Sequence, residues 1–535
     1  MKRRRAVAIV GSGFAGSLLA RVLAVLGHDV VLLERGTHPR FAIGESSTPL
    51  ANLSLERLAR RYGLTDCYHL AAHGRWLEHY PDLRRGLKRG FTFYRHHPGR
   101  HFANQGLESE RLLIAASPND AIADTHWLRA DVDHHFVRAA VAAGVDYRDR
   151  VELTGASFDR SGARLTGQRN GAAFDLRVDF VIDASGPGGF LARQLGIPSA
   201  LGRAKTNSGL VFSHFSGVRP MSDVVPNLPP GPYPDDWAAV HHLIDEGWMY
   251  ALRFDDGVTS AGFALSARGL EQLASGAPAS SPDAGALWRA LLARYPTIGA
   301  AFGDATPLMP LALRSRIQHR LTRAAGERWA LLPHAYAFTD PLFSTGIAWS
   351  LRAIERLALS FEDGARSPER YAALLHAEAD QIDRLVAGAY DAMSHFELFA
   401  AHAMIYFAAV SFAEAHQRLS GHDAETAAWS GFLGVGDAAL GPLPHASCRR
   451  LRRLTGGRGD PGSAAQRRAF AEWVALAIAP RNIAGLCDPA AHGLYPVDLD
   501  LLVERHALLG LRRSDLVRAL PALRGAPSHP LSAVR

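Results

Sequence analysis

Four consecutive apolar residues, Val7 to Val10, predict a strand buried on both faces. The apolar run after Gly16 keeps helical spacing, and a second short apolar run, Val30 to Leu33, predicts another strand that stops at Glu34. A helix is expected over residues 50–62. Residues 73–105, rich in His, Arg, Gly and aromatics, read as irregular loops and short strands. Residues 125–143 read as an amphipathic helix closed by Gly144. Alternating stretches at 151–154, 163–166 and 175–178 precede a buried strand over 180–183, which runs into a second glycine turn, residues 184–189. Residues 207–265 are strand-rich, with turns at 229–232 and 255–257. They predict an antiparallel sheet inserted between parts of the first unit. A strand over 329–332 and a helix over 347–360 complete that unit. From about residue 368 the spacing is helical, as at Tyr371, Leu374, Leu375, Ile382, Leu385 and Val386. Leu398 to Ala413 is apolar but short and carries His402, so it reads as a buried helix; residues 456–462 read as a surface loop.

Chemistry enters at the first turn. Gly11, Gly13 and Gly16 have the spacing G-x-G-x-x-G, between a strand and a helix. Gly11 permits a tight turn, Gly13 lets the backbone approach a pyrophosphate, and Gly16 lets helix and sheet pack closely. The helix N-terminus offers free N–H groups to phosphate. Glu34 lies 18 residues beyond Gly16, where an acid can hydrogen-bond a ribose. The segment therefore predicts a dinucleotide cofactor. MKRRR before an apolar run also resembles the start of a signal peptide, but the glycine spacing and the acid-terminated second strand argue against one.

Composition narrows the picture further. A chain of 535 residues holds two or three structural units. Cys67, Cys448 and Cys487 lack metal or redox spacing and read as reduced cytoplasmic thiols. The formal charge is +7, yet the arginines are dispersed and form no stripe with aromatics, which argues against nucleic acid. No transmembrane segment is expected. His96, His97 and His101 lack ligand spacing, so no metal is expected. Of 59 basic residues only Lys2, Lys88 and Lys205 are lysine, so each raises the question of a task arginine cannot do.

Four segments then occur in order: the fingerprint with Glu34, a helix with Arg129 and Asp133, VIDASGPGG at 181–189, and FTDPLFSTGIAWSL at 338–351. Together they resemble the FAD-dependent oxidoreductases of the para-hydroxybenzoate hydroxylase fold. More locally, GESSTP at 44–49, LKRGFTFY at 87–94 and DPLFSTG at 340–346 are similar to the flavin-dependent halogenases. The resemblance covers roughly residues 5–415. It implies an α/β fold: a Rossmann-like FAD-binding domain, an interleaved antiparallel β-sheet substrate domain and a helical C-terminal region. The expected divisions are 1–206 (with substrate-side loops at 63–120), 207–310, 311–366 and 367–535.

The resemblance also implies roles. Gly11, Gly13, Phe14, Ala15, Gly16, Glu34 and Arg35 would hold the ADP half of FAD, with Arg129 contacting the cofactor from its helix. Asp183 and Gly186 would lie near the pyrophosphate. Glu45 and Ser46 border the flavin, and Asp340, Pro341, Ser344, Thr345, Gly346 and Ile347 lie along it. Backbone N–H groups of the Ser344–Gly346 turn suit the flavin edge that gains negative charge on reduction. The same turn, Ser344, Thr345 and Gly346, would hold a halide, chloride or bromide. Lys88 falls on the family's catalytic lysine. A buried lysine can lose its proton and carry or hydrogen-bond an electrophilic halogen, whereas guanidinium nitrogens are weak nucleophiles.

The chain departs from the family in three places. The W-x-W-x-I-P stretch, thought to suppress direct oxygenation, is Trp248-Met249-Tyr250-Ala251-Leu252-Arg253 here. The Gly-Asp before the flavin loop is Pro333-His334, so His334 would take over the ribityl contact. The glutamate of tryptophan halogenases is Phe343, which moves the expected substrate to a phenol, a pyrrole or a carrier-protein-tethered aromatic. Trp248, Tyr250, Phe343 and Phe93 are the expected substrate-side residues. No second complete dinucleotide fingerprint appears, since Gly431 to Gly436 has the wrong spacing; this favours reduction of FAD by a separate flavin reductase. Three readings stay open: halogenation through Lys88, a halogenase-like monooxygenase or dehydrogenase without halide chemistry, and a catalytically idle flavin-binding interaction protein.

Overall fold

The computed structural model describes residues 4–102, 110–187, 189–274, 283–363, 368–421, 424–455 and 462–525. Lys2, Gly188 of the second glycine turn and residues 456–461 of the expected surface loop lie outside the described residues.

The unbroken apolar run at the start forms the strand Ala6–Val10, at the centre of a six-stranded sheet. It pairs in parallel with Asp29–Leu33 on one side and Phe180–Asp183 on the other. Asp146–Arg148 and Trp329–Leu331 extend the parallel order, and Ala325–Gly326 adds an antiparallel edge. Burial on both faces is why Ala6–Val10 and Phe180–Asp183 show no polar alternation. Val10 is in register with both Leu33 and Asp183. The two glycine turns and Glu34 therefore emerge together at the carboxyl edge of the sheet, where α/β folds bind ligands. The helix Phe14–Val25 packs on this sheet beside the helices Arg129–Ala142 and Thr345–Asp363.

A second, nine-stranded sheet contains the expected antiparallel insertion and extends beyond it. Its core is Ser208–Ser216, Thr259–Ser266, Gly247–Arg253 and Ala239–Ile244, all antiparallel. It then continues through Gly90–Arg95, parallel to Ala239–Ile244, through Arg111–Ala115, and through Leu494–Tyr495 near the end of the chain. The sheet is therefore mixed, and it draws on residues outside 207–310. Gly90–Arg95 is one of the short strands expected within 73–105; all six of its residues are buried, which erases the polar-apolar alternation that would have marked its bounds.

A short two-stranded ribbon brings a correction. Residues 124–127 do not open a helix: Asp124–Trp127 pairs antiparallel with Arg85–Lys88, and the helix begins at Arg129. Thr125 and Trp127 favour a strand, and all four residues are buried against neighbours, so tertiary pairing overrides the helical reading. The GESSTP segment adds to the other edge of this ribbon through Ser47 N–H to Thr125 O and Trp127 N–H to Glu45 O.

The C-terminal part is helical, led by Pro368–Ala392 and Phe396–Leu419. Phe396–Leu419 is long and apolar enough to cross a bilayer, but most of its Leu398–Ala409 stretch is packed inside the protein. His402 is at home there: its ring nitrogens lie 2.7 Å from Ser447 Oγ and 2.8 Å from Leu385 O.

Candidate active site

The glycine turn is built to exclude side chains. Gly11 has φ +103°, and a Cβ there would sit 2.5 Å from Ala184 O. A Cβ on Gly16 would sit 2.0 Å from Gly11 O. Gly13 caps the helix Phe14–Val25 with no side-chain hydrogen bond, leaving the N-terminus open to a ligand. Ala15 lies in its first turn. The Phe14 amide donates to Asp133 Oδ1 at 3.1 Å. Glu34, at the end of the neighbouring strand, accepts from Ser12 N, Ser12 Oγ, Gly36 N and Arg40 Nη2. Burial raises its pKa, but Gly36, Arg40 and Ser12 together hold it below the usual carboxylate value. Arg35 points to solvent.

Arg129 acts as a clamp. Its guanidinium forms a two-pronged pair with Asp133 (2.7 and 2.9 Å), donates to the carbonyls of Ile43 and Gly44, and lies 4.8 Å from the Phe14 ring centroid. It thereby fixes the approach to the GESSTP segment against the open helix end. Asp183 folds the second glycine turn by accepting from Ser185 and from the Leu191 amide. Gly186 lies in that turn at φ +75°.

The flavin-side loop rests on a buried polar chain. Asp340 accepts from Ser208 Oγ (2.9 Å), Tyr390 OH (3.0 Å) and Leu342 N (3.1 Å), and Trp248 Nε1 donates to Tyr390 OH at 3.1 Å. Burial pushes the Asp340 carboxyl up to about 6. Asp340 thus positions the loop through Pro341 and Leu342. Ser344 follows at φ +50°, a strained value for a residue with a Cβ. The helix Thr345–Asp363 starts two residues earlier than expected. Thr345, Gly346 and Ile347 therefore form its first turn, whose N–H groups have no partner within the helix.

Two buried polar atoms along this path have no protein partner, Ser46 Oγ and His334 Nε2. The His334 ring lies close against Gly346, 2.9 Å from where a Cβ would stand. Burial, then the charge of Arg129, drives its pKa down to about 3, so the ring is neutral. An open helix end, a cradle that tolerates no Cβ and two orphaned polar atoms fit an extended dinucleotide such as FAD.

Lys88 sits at the inner end of the ribbon and is fully buried. Its Nζ donates to Ser47 O at 2.5 Å and lies 4.1 Å from the Phe91 ring centroid. Asp124 is its cross-strand neighbour. Burial lowers the lysine pKa while the Asp124 charge opposes that fall; burial likewise raises Asp124 and Lys88 restrains it. His126 and His241 are buried nearby and neutral, each pushed down to about 3 by burial and then by the Lys88 charge. Glu45, on the same GESSTP segment as Ser47, lies 3.1 Å from His214 Nε2.

A chamber of about 1460 Å³ opens beside this cluster. Its deep wall contains Asp124, Asn52, Phe91, Tyr406 and Phe407, and its outer walls come from the helices Pro49–Tyr62 and Phe396–Leu419 and from residues 483–525. The four expected substrate-side residues lie elsewhere. Phe93 and Trp248 sandwich His241, with ring centroids at 4.6 and 5.2 Å, beneath the helix Phe396–Leu419. Tyr250 sits next to Trp248, and Phe343 stacks on Tyr406 at 4.6 Å. Phe91, two residues before Phe93 on the same sheet face, reaches the chamber instead. Arg253, at the altered Trp248 strand, turns away to Asp236 (3.0 Å) and Val218 O (2.9 Å). Asp124, His126, His241 and Tyr406 were missed from sequence. The buried D-T-H-W strand was the available signal, but it merged with the helix that follows. His96 and His242 bond each other at 2.9 Å on the far face, and among the described residues no cluster suits a metal.

Comparison with known proteins agrees with this geometry. Residues 4–229 match the FAD binding domain family. The chain is 30% identical over 400 residues to monodechloroaminopyrrolnitrin halogenase PrnC of Pseudomonas fluorescens, covering 74% of this chain and 69% of the relative. It is 29% identical to the tetracycline 7-halogenase of Kitasatospora aureofaciens, covering 74% and 71%. The structure of halogenase PltM in complex with phloroglucinol and FAD superposes with a TM-score of 0.80 at 26% identity, covering 91% of this chain and 99% of that one. A cofactor cradle at one end, a buried lysine at the other and this similarity along most of the chain place the protein in the flavin-dependent halogenase family, as an FAD-dependent oxidoreductase.

Proposed function

We propose that this enzyme halogenates an electron-rich phenolic or pyrrolic substrate held in the chamber, with Lys88 as the residue that hands over the halogen. The observation that carries this is a fully buried lysine directly behind the chamber wall, tethered to the GESSTP segment by Ser47 O. Residues of the Gly11–Gly16 turn, Glu34, Arg129, His334 and the Thr345–Ile347 amides would hold FAD. When bound and reduced, FAD supplies with O2 and halide the oxidising equivalent that makes an electrophilic halogen. The Lys88 ammonium, confined between Ser47 O and Phe91, can hydrogen-bond hypohalous acid or, once deprotonated, bond the halogen on nitrogen. Burial aids that deprotonation. Arginine would hold its proton throughout.

The substrate class rests on the relatives: their names give tetracycline and monodechloroaminopyrrolnitrin, and PltM was crystallised with a trihydroxybenzene, phloroglucinol. Phe343 in place of an acid agrees with rings that activate themselves. A separate flavin reductase supplies reduced FAD, and the three unpaired cysteines suit the cytoplasm.

The test uses the full chain loaded with FAD, a flavin reductase, NADH, bromide or chloride, and a panel of phenols and pyrroles that includes phloroglucinol. Halide-dependent product is expected, lost in Lys88→Ala and Lys88→Arg while the bound-flavin spectrum stays. Oxygenated product formed without halide, or full activity in Lys88→Ala, refutes the proposal.

A further inference from the structure

Asp124 has no task in the reading above, yet its position is costly. The carboxylate is 2% exposed. Oδ1 accepts from Asn52 Nδ2 at 2.8 Å, but Oδ2 is buried with no hydrogen-bonding partner. An unsatisfied buried acceptor costs about 1–3 kcal/mol, more when charged, and calls for an explanation such as a catalytic role. Asp124 also forms part of the chamber wall, between Asn52 and Phe91, directly across the ribbon from Lys88. The charges that act on it come from Lys88, Glu414 and Arg418. Asn52 holds one oxygen in place, and the other stays buried and unpaired. Phe343 meanwhile provides no acid at the flavin loop.

We propose that Asp124 is the substrate base: its free Oδ2 accepts the hydroxyl proton of a phenol bound in the chamber and turns the neighbouring ring carbon toward Lys88. This rests on the halogenation reading. The step balances as follows for hypohalous acid held on the Lys88 ammonium. A ring electron pair forms the carbon–halogen bond, and the oxygen–halogen bond breaks with its pair going to oxygen. That oxygen takes a proton from Lys88 and leaves as water, while Asp124 takes the phenol proton, giving a halogenated dienone. The ring proton then passes to the Lys88 amine, the ring regains its aromatic pair, and Asp124 returns its proton to the phenolate oxygen. The net change is one C–H and one hypohalous acid converted to one C–halogen bond and one water, with both residues restored.

The experiment compares wild type with Asp124→Asn, full chain loaded with FAD, on phloroglucinol and on its trimethyl ether, an electron-rich ring with no hydroxyl proton. General-base loss predicts that kcat on phloroglucinol falls about 10²–10⁴-fold while turnover of the ether is retained. In FAD-free protein, calorimetric titration is expected to show wild type binding phloroglucinol about tenfold more tightly than the ether, and Asp124→Asn losing that preference. An equal loss on both rings, as a misplaced Lys88 would cause, overturns the proposal. So does unchanged activity on phloroglucinol, or a preference for the hydroxyl compound that survives in Asp124→Asn. A wild type that halogenates neither ring, nor any phenol of the panel, fails the halogenation reading itself and this proposal with it.

Discussion

Replacing Lys88 with methionine keeps the volume of the side chain and removes its charge. In the native structure the ammonium offsets the ionised form of Asp124, which is fully buried and has one hydrogen bond, from Asn52. Lys88→Met removes the nearer of the two positive charges, Lys88 and Arg418, that favour that carboxylate. Breaking a buried pair on one side costs about 3–5 kcal/mol. At about 1.4 kcal/mol per pKa unit this corresponds to holding the group ionised across about two to four pH units. The sign follows from linkage. Burial already raises the folded-state pKa of Asp124 above its unfolded value, and loss of Lys88 removes the influence that lowers it, so the folded variant keeps a proton that the unfolded chain has released. Its stability is therefore full below about pH 4 and is lost as pH rises through the elevated folded pKa. Denaturant midpoints of the FAD-loaded proteins at pH 5.5 and 8.5 check this. The deficit of Lys88→Met relative to wild type is expected to be small at the lower pH and to approach the full penalty at the higher one. Lys88→Met/Asp124→Asn, which removes both charges, should recover most of the loss at pH 8.5. A deficit equal at both pH values, or larger at pH 5.5, refutes the reasoning.

Two further outcomes test the cofactor end. Gly16→Ala places a Cβ 2.0 Å from the Gly11 carbonyl, so bound flavin absorbance should be lost, whereas Gly27→Ala, with open space around its Cβ but φ +87°, should cost about 1 kcal/mol of stability and keep FAD. His334→Phe keeps a buried ring but removes the unpartnered nitrogen beside Gly346. It should weaken FAD about tenfold by equilibrium titration with little change in unfolding midpoint, and unaltered affinity would show that the nitrogen does not face the cofactor.

The cofactor half was readable along the chain because its determinants are local. Val7 to Val10, the three glycines and Glu34 lie within one strand-helix-strand unit, and each residue type answers a steric or hydrogen-bonding demand made by its near neighbours. The long apolar helices of the C-terminal part were legible for the same reason, since their period appears within a few turns. Lys88 stood out by composition, as one of three lysines among 59 basic residues. Its surroundings did not. Asp124 meets Lys88 only through ribbon pairing, Ser47 reaches it from the loop beyond the second strand, and Tyr406 arrives from 318 residues away in sequence.

The same divide explains the one unplaced and the one misread segment. A strand buried on both faces loses the alternation that would fix its bounds, as at Gly90–Arg95 within the expected short strands, and a four-residue strand leaves too short a pattern against the helix it abuts, as at Asp124–Trp127, which was read as helix. By itself the sequence determined which dinucleotide unit forms, because backbone geometry and residue type act at short range, and its family resemblance singled out Lys88 as a candidate. Only the tertiary structure decided what that lysine faces and where a substrate can reach it. Burial, cross-strand pairing and the packing of distant helices set the charge and the partners of Lys88 and the open volume beyond Asp124, and none of these is a property of neighbouring residues.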